Sequence, residues 1–196
     1  MIGILLAAGF SRRFGADDKL LQPLADGRPI ALAAAENLIK AIPFSIAVLR
    51  PENQALAQAL ENIGLKIVYC HKADAVMADS ISTAIGYAAQ FPESDGGFVI
   101  ALADMPDISP DTIKAIANQL QAGAAILAPV YQGRRGHPVA FAAKFGPALI
   151  ALTGDEGARS ILKQHSQEIH LLPCEDAGIL ADIDTPADLL AARMRT

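Results

Sequence analysis

Residues 6–19 have a composition suited to binding phosphates. This segment contains Gly9 and Gly15, whose backbones can approach a ligand closely and present N–H groups to it. It also contains Arg13 and Lys19, which can supply positive charge to phosphate oxygens. The segment is not a P-loop, because no Gly-Lys-Ser/Thr follows, and it lacks the Gly-x-Gly-x-x-Gly of dinucleotide sites. We predict a phosphate-binding loop of another type; a solvated basic turn is the alternative.

Acidic residues in two distant segments are candidates for a metal or catalytic site. Asp104 ends an apolar run and precedes a Met-Pro pair, whereas Asp182 and Asp184 lie in the sequence Asp-Ile-Asp-Thr-Pro. In an extended segment, Asp182 and Asp184 would point to the same side. Carboxylates that converge from distant segments suit a hard cation such as Mg²⁺. As alternatives, Asp104 is a helix cap or turn residue, and Asp184 or Thr185 caps the last helix.

The surrounding sequence alternates between short apolar runs and helical patterns. Such runs are typical of strands buried on both faces of a parallel sheet. The alternation predicts a three-layer α/β/α sandwich with right-handed crossovers. In open sheets of this kind, ligands bind beyond the C-terminal ends of the strands. The predicted strands are residues 2–7, 46–49, 66–69, 97–103 and 125–131, and the predicted helices are residues 29–41, 53–63, 80–90 and 110–121.

The pattern is less regular after residue 131, where a Gly-rich turn begins. No internal repeat or linker separates the two halves, so we predict one domain over residues 1–196. In this second half the predicted strands are residues 138–142, 169–172 and 179–183, and the predicted helices are residues 144–152, 157–165 and 186–195.

Composition argues against several classes of protein. With 52% hydrophobic and 19% charged residues, the chain is typical of a globular protein, and its net charge of −5 argues against nucleic acid as a partner. Its apolar runs are shorter than the ~18 residues of a membrane-spanning helix, and its N-terminal run lacks the basic region of a signal peptide. Cys70 and Cys174 are isolated and predicted to be buried free thiols. We therefore expect a cytoplasmic protein without a membrane partner.

Residues 6–19 resemble the opening signature of the MobA-like nucleotidyltransferase superfamily, Leu-Ala-(Ala/Gly)-Gly-x-x-x-Arg-(Met/Phe)-Gly-x-x-x-Lys. The segments around Asp104 and Asp184 resemble two further motifs of that superfamily, Leu-(Ala/Cys)-Asp-(Met/Gln)-Pro and Asp-(Ile/Val)-Asp-Thr-Pro-x-Asp-Leu. The resemblance implies a Rossmann-like, mostly parallel sheet of the nucleotide-diphospho-sugar transferase type. It implies that the first loop wraps the triphosphate of an NTP and that Arg13, Lys19 and Asp104 are catalytic. It also implies that Asp104 and Asp184 hold Mg²⁺.

The same resemblance suggests the nucleotide-binding residues. In the superfamily a small turn containing serine lies beside the base, which makes Asp79 and Ser80 candidates for base or ribose contacts; alternatively, they cap the next helix. Ala8 stands where guanylyl-transferring relatives tend to carry glycine, and its methyl group would favour a pyrimidine, so we predict CTP. The predicted set is Leu6, Ala7, Ala8, Gly9, Ser11, Arg12, Arg13, Gly15, Lys19, Asp79, Ser80 and Asp104.

Two Gly-rich segments resemble the branch that contains molybdenum-cofactor cytidylyltransferases. They are Gly-Arg-Arg-Gly-His-Pro at residues 133–138 and Gly-Asp-Glu-Gly-Ala-Arg at residues 154–159. They imply an acceptor site at His137, with Gly157 and Arg159 as further candidates; a structural role for His137 is the alternative. The acceptor implied is molybdopterin, which would give molybdopterin cytosine dinucleotide, with molybdoenzyme maturation proteins as possible partners.

Other functions are compatible with parts of the sequence. A related nucleotidyltransferase could act on a sugar phosphate or methylerythritol phosphate, or use GTP. A non-catalytic nucleotide-binding accessory protein is disfavoured by the presence of both Asp104 and Asp184. A dinucleotide-dependent oxidoreductase, which the N-terminal strand–Gly-loop–helix pattern suggests, is disfavoured because Gly-x-Gly-x-x-Gly is missing.

Overall fold

A mixed β-sheet forms the centre of the structure. The computed structural model describes residues 1–9, 14, 18–72, 76–154 and 156–194. The strand order is β3-β2-β1-β4-β7-β5-β6, and β8 also pairs with β5. Neighbours among the first four strands run parallel, as do β5 and β8, whereas β7 is antiparallel to β4 and β5. The strands in the described residues are β1 (Ile2–Leu6), β2 (Ser45–Leu49), β3 (Lys66–Tyr69), β4 (Phe98–Leu102), β5 (Ile126–Tyr131), β6 (Arg134–Arg135), β7 (Val139–Phe141) and β8 (Ile169–Pro173).

Helices cover both faces of the sheet, which confirms the predicted α/β sandwich. Helices α1, α2 and α4 contribute to the hydrophobic core on one face, and α3, α5 and α6 contribute to the core on the other. No helix of the described residues is both long enough and apolar enough to cross a membrane. The helices are α1 (Ile30–Ala41), α2 (Gln54–Asn62), α3 (Met77–Ala88), α4 (Pro110–Gln121), α5 (Gly146–Ile150), α6 (Arg159–Gln164) and α7 (Pro186–Arg193).

Strand β1 is apolar throughout because its side chains are buried on both faces of the sheet. Successive side chains of a strand point to opposite faces of the sheet, so Ile2 and Ile4 lie in the core on the α3 side and Leu5 lies in the core on the α1 side. All three side chains are fully buried. Gly3 leaves room for the neighbouring strand, because a Cβ there would lie 2.3 Å from the Ser45 hydroxyl oxygen.

The strand predicted at residues 179–183 is wrong. Ala177–Leu180 instead forms a short 3₁₀ helix. The segment is apolar because Ile179 and Ile183 are buried in the core, not because it belongs to the sheet. Gly178 permits this path, because a Cβ there would lie 2.2 Å from the Asp107 carbonyl oxygen.

Two other local expectations also need correction. The helix predicted at residues 144–152 is divided into a 3₁₀ turn, Ala143–Phe145, and the short helix α5. Pro147 lies in the first turn of α5, where its missing N–H costs no helical hydrogen bond. The Gly-rich turn after β5 contains the two-residue strand β6, which pairs back onto β5.

Candidate functional site

Adjacent strands bring the first loop and Asp104 to the same edge of the sheet. β1 and β4 are parallel neighbours, and Leu6 is the register partner of Leu102. Beyond this pair, the Ala103 N–H donates to the Leu6 carbonyl oxygen at 3.1 Å. The segments that follow the two strands therefore start side by side, and both Gly9 and Asp104 line one cleft.

Lys19 contacts both predicted metal carboxylates. Its Nζ lies 2.8 Å from Asp104 Oδ2 and 3.2 Å from Asp184 Oδ1. Lys19 begins a short 3₁₀ helix, which is capped because the Asp18 side chain accepts a hydrogen bond from the Leu20 N–H at 3.0 Å. Lys19 is only 8% exposed, and an ammonium group tolerates such burial when it is paired. The two carboxylates thus meet at a single cationic group.

Hydrogen bonds to the backbone place Asp184 beside Asp104. The Ile183 N–H donates to the Asp104 carbonyl oxygen at 2.9 Å, which joins the two acidic segments directly. Asp188 Oδ2 accepts from the Asp184 N–H at 3.1 Å and from the Thr185 N–H at 2.8 Å. Thr185 is the N-cap of α7, and hydrogen bonds from Thr185 lower the pKa of the Asp188 carboxyl. Asp188 therefore shapes the turn that carries Asp184.

The cleft at this edge has a volume of about 840 Å³ and brings most of the predicted residues together. Three arginines and His137 line the side formed by β6 and α6, and Asp104 and Asp184 lie beside Lys19. Asp182 is exposed in the cleft. The predicted residues that line it are Leu6, Ala7, Gly9, Lys19, Asp104, His137, Arg159, Asp182 and Asp184. Arg134, Arg135, Glu156 and an apolar wall that includes Leu162 complete the arginine side.

His137 is held tightly in the cleft by backbone contacts. Its N–H donates to the Ile179 carbonyl oxygen at 3.0 Å. The preceding Gly136 lies so close to this carbonyl that a Cβ would be 2.2 Å from its oxygen. His137 Nδ1 is buried without a hydrogen-bond partner among the described residues. Burial lowers the pKa of His137, although Asp104 and Asp182 partly oppose this effect. The imidazole is therefore neutral at pH 7, and its Nδ1 is both unpaired and shielded from solvent.

Ala8 does not lie where its methyl group could limit the space beside a nucleotide base. The residue is 1% exposed and packs in the hydrophobic core on the α3 side of the sheet. Its neighbours Ala7 and Gly9 line the cleft, whereas Ala8 is not part of the lining. Its methyl group therefore fills the core, and it gives no geometric reason to prefer a pyrimidine over a purine.

Asp79 and Ser80 lie in the first turn of α3, outside the lining of the cleft. The helix begins earlier than the predicted residue 80, because the Asp79 carboxylate accepts a hydrogen bond from the Val76 N–H at 3.1 Å. Asp79 is also paired with Lys72, and this hydrogen bond lowers the pKa of the carboxyl. Ser80 is 6% exposed. Their contact with a base or ribose stays a prediction.

Gly157 is buried beside the cleft rather than in its lining. It has φ +55°, and a Cβ there would lie 2.9 Å from Met77 Sδ. Two residues later, Arg159 is the first residue of α6 and lines the cleft. Four further predicted residues, Ser11, Arg12, Arg13 and Gly15, lie outside the described part of the chain.

Asp176 is a further positioning residue, which is absent from the residues predicted from the sequence. Its Oδ2 accepts hydrogen bonds from the Ser109 N–H at 2.9 Å and from Thr112 Oγ1 at 2.7 Å, and its Oδ1 accepts from the Gly178 N–H at 2.9 Å. These contacts fasten the chain before Asp184 to the start of α4. An Asp two residues before a Gly is a turn signal that could have marked it, but its contact with α4 depends on the tertiary fold.

Comparisons with known proteins agree with this architecture. A protein-family model described as the MobA-like NTP transferase domain matches residues 3–169. The purine catabolism protein PucB of Bacillus subtilis (strain 168) is 32% identical over 202 residues, which cover 96% of this chain and 93% of PucB. Nicotine blue oxidoreductase of Paenarthrobacter nicotinovorans is 30% identical over 192 residues, which cover 93% of this chain and 91% of that protein.

Solved structures give the same fold. The crystal structure of Rv0371c from Mycobacterium tuberculosis H37Rv superposes with a TM-score of 0.82 at 26% identity, covering 99% of this chain and 98% of that one. A manganese complex of Rv0371c superposes with a TM-score of 0.78 at 23% identity, covering 98% and 97%.

Proposed function

The chain belongs to the MobA-like NTP transferase family, and we propose that it transfers a cytidylyl group from CTP to a phosphorylated acceptor with release of pyrophosphate. Molybdopterin is the acceptor that we favour, and the product would be molybdopterin cytosine dinucleotide. The observation that carries the proposal is the meeting of Lys19, Asp104 and Asp184 in one cleft. A cation and two carboxylates at the C-terminal edge of the sheet suit a triphosphate with its metal.

The proposed step is an in-line substitution at the α-phosphorus. An oxygen of the acceptor phosphate bonds to this phosphorus, the bond to the bridging oxygen of the β-phosphate breaks, and pyrophosphate leaves. A phosphate nucleophile is already ionised at neutral pH, so catalysis depends mainly on position and charge. Lys19 would hold the phosphates of the leaving group. Arg13, outside the described residues, is proposed to share that role.

The two carboxylates fit a divalent metal. Asp104 Oδ2 and Asp184 Oδ1 both lie within hydrogen-bond distance of one ammonium, so both can face a single cation. Within the described ranges, no three His, Cys, Asp or Glu side chains form a complete metal site. This suits Mg²⁺, which proteins commonly bind through one or two carboxylates plus substrate phosphates and water. When bound, the metal would neutralise charge on the α-phosphate. The manganese complex of Rv0371c supports a divalent metal.

The arginine side of the cleft suits the acceptor. His137 lines this side, and its imidazole is proposed to form a hydrogen bond with an acceptor phosphate. Arg159 and the exposed Arg135 line the same side and can attract an anion. The resemblance of residues 133–138 to the cytidylyltransferase branch supports molybdopterin and a link to molybdoenzyme maturation proteins. The preference for CTP rests on that resemblance, since Ala8 lies in the core.

A pyrophosphate-release assay tests the proposal. The purified chain is incubated with molybdopterin, Mg²⁺ and, in turn, CTP, GTP, ATP and UTP. We expect release with CTP and a product that contains cytidine monophosphate. Asp104→Asn should lower the rate by at least about 100-fold, whereas Asp95→Asn, which alters an exposed carboxylate far from the cleft residues, should not. Release that requires GTP would contradict the base assignment, and activity only with another phosphate would contradict the acceptor.

A second candidate function is reduction with a nicotinamide cofactor. The observation that favours it is the 30% identity to nicotine blue oxidoreductase. A thermal-shift panel of CTP, GTP, ATP, UTP and NADH, with and without Mg²⁺, separates the candidates, because a ligand that binds the folded state raises Tm. Stabilisation by an NTP only in the presence of Mg²⁺ supports nucleotidyl transfer. Stabilisation by NADH alone supports the oxidoreductase.

A further inference from the structure

Lys19 forms its ion pairs with the same two carboxylates that fit a divalent metal. We propose that the Lys19 ammonium and the metal compete for Asp104 and Asp184, so that metal binding transfers the ammonium from the carboxylates to the phosphates of the nucleotide. This inference rests on the proposed function in one respect, which is the assignment of Asp104 and Asp184 as metal ligands.

The geometry makes simultaneous occupation unfavourable. Lys19 Nζ lies 2.8 Å from one carboxylate oxygen and 3.2 Å from the other. A divalent metal bound to these oxygens would bring its double positive charge almost into contact with the single positive charge of the ammonium. The lysine side chain is 10% exposed and the two aspartate side chains are 24% and 28% exposed, so solvent would screen this repulsion less than at the surface. One cation must therefore leave before the other binds.

Only the side chain of Lys19 needs to move. Its backbone is fixed, because its carbonyl oxygen accepts from the Gln22 N–H at 3.1 Å and the following Leu20 is 5% exposed in the core. A lysine side chain has a flexible stem of four carbons, and its compact ammonium carries three N–H donors that can rotate toward new acceptors. Phosphate oxygens in the cleft would give the displaced ammonium a new set of acceptors.

The exchange couples metal binding to phosphate binding. A metal that binds alone must break two charge-assisted hydrogen bonds of Lys19 without any replacement. When a polyphosphate is present, the ammonium gains new partners and this cost is recovered. Each ligand should therefore strengthen the binding of the other by the same factor, as thermodynamic linkage requires. Lys19 is the group through which this coupling acts.

Binding of Mn²⁺ to the full chain, followed by electron paramagnetic resonance without any nucleotide, gives the first test. We expect Lys19→Met to bind Mn²⁺ roughly tenfold more tightly than the wild type, because the competing ammonium is gone. Lys114→Met removes an exposed charge on α4 and should leave the affinity unchanged. Asp104→Asn should weaken binding in the wild-type background. Equal or weaker Mn²⁺ binding by Lys19→Met overturns the exchange.

Inorganic pyrophosphate gives the second arm. In the wild type, pyrophosphate should raise the affinity for Mn²⁺ by more than the binding of Mn²⁺ to pyrophosphate without protein explains. Lys19→Met should lose most of this increase. Lys19→Met could bind Mn²⁺ more tightly and still show the full rise in affinity on addition of pyrophosphate. Lys19 would then oppose the metal only through electrostatic repulsion, and the exchange would be wrong. If Asp104→Asn binds Mn²⁺ as well as the wild type does, the metal ligands are wrong and the exchange fails with them. The pyrophosphate-release assay tests the overall reaction independently.

A measurement on the unaltered protein covers the case in which Lys19→Met does not fold. An amine-reactive reagent should label Lys19 slowly, since its ammonium is buried and paired. Adding Mg²⁺ should raise the labelling rate of Lys19 several-fold, and adding pyrophosphate as well should lower it again. Lys114 is the internal reference and should react at a constant rate. Unchanged labelling of Lys19 on addition of Mg²⁺ contradicts the proposal.

Discussion

At the scale of single residues, His137 combines a fixed position with an unusual electrostatic environment. Burial lowers the pKa of its imidazole, and the nearby carboxylates of Asp104 and Asp182 do not fully offset this effect. The ring nitrogen Nδ1 has no protein partner within the described residues. A neutral imidazole can donate or accept a single hydrogen bond without adding charge to a cleft that must also hold anions.

The lowered pKa of His137 predicts how stability changes with pH. The unfolded chain binds a proton at this histidine near the ordinary value of 6.5, whereas the folded chain binds it only at lower pH. Stability therefore falls as pH decreases below about 6.5, because the unfolded state then holds more protons. Urea denaturation at pH 7.5 and pH 5.5 should show a smaller loss of stability for His137→Gln than for the wild type. His170→Gln, which alters an exposed histidine on β8, should lose as much as the wild type; an equal loss in His137→Gln would refute the prediction.

At the scale of elements, the C-terminal connector, residues 174–185, organises the cleft. It lies between β8 and α7 and is fastened at separate points to the start of α4, to His137 and to the backbone of Asp104. Its short 3₁₀ helix contacts both β5 and β6. The connector thus joins the proposed acceptor side to the proposed metal side, although it contributes little regular structure of its own.

Asp176 tests the positioning role of the connector. Asp176→Ala leaves the Ser109 and Gly178 N–H groups and the Thr112 hydroxyl without their acceptor. We expect a loss of about 1–3 kcal/mol in the free energy of unfolding and a several-fold loss of Mn²⁺ affinity, because the chain that leads to Asp184 is then held less firmly. Thr112→Val removes one donor and should lower stability less while keeping Mn²⁺ affinity. Asp176→Asn, which keeps acceptor oxygen, should restore part of both. Lower stability with unchanged Mn²⁺ affinity in Asp176→Ala would limit its role to folding.

Gly136 tests the contact between the connector and the turn that carries His137. Gly136→Ala places a Cβ 2.2 Å from the Ile179 carbonyl oxygen, so one backbone segment must move. We expect a loss of about 1–3 kcal/mol in stability, measured by chemical denaturation. The matched control is Gly86→Ala within α3, where a Cβ meets nothing within 4 Å and should be neutral or stabilise by up to about 1 kcal/mol. A neutral Gly136→Ala would mean that the turn can shift freely.

At the scale of the whole molecule, the sequence predicts the fold better than it predicts the site. Strands such as β1 and β4 are continuous apolar runs that are buried on both faces, so their pattern is visible without tertiary information. Four of the five residues at 179–183 are also apolar, yet Ile179 and Ile183 are buried without strand pairing, and periodicity does not distinguish the two cases. Ala8 shows the same limit at the site, because nothing in its identity tells whether its methyl group faces the core or the cleft.

The hydrogen bond from the Ile183 N–H to the Asp104 carbonyl oxygen joins segments that are far apart in the chain. This separation affects the order in which the site can form during synthesis. Lys19 and Asp104 are 85 positions apart, but Lys19 and Asp184 are 165 positions apart. On the ribosome, the first loop and β4 emerge long before the connector and Asp184. A nascent chain can therefore form much of its sheet before it has both carboxylates, and Lys19 can meet Asp104 before Asp184 has been synthesised. The candidate site is therefore the last part to be completed, after the scaffold that holds it.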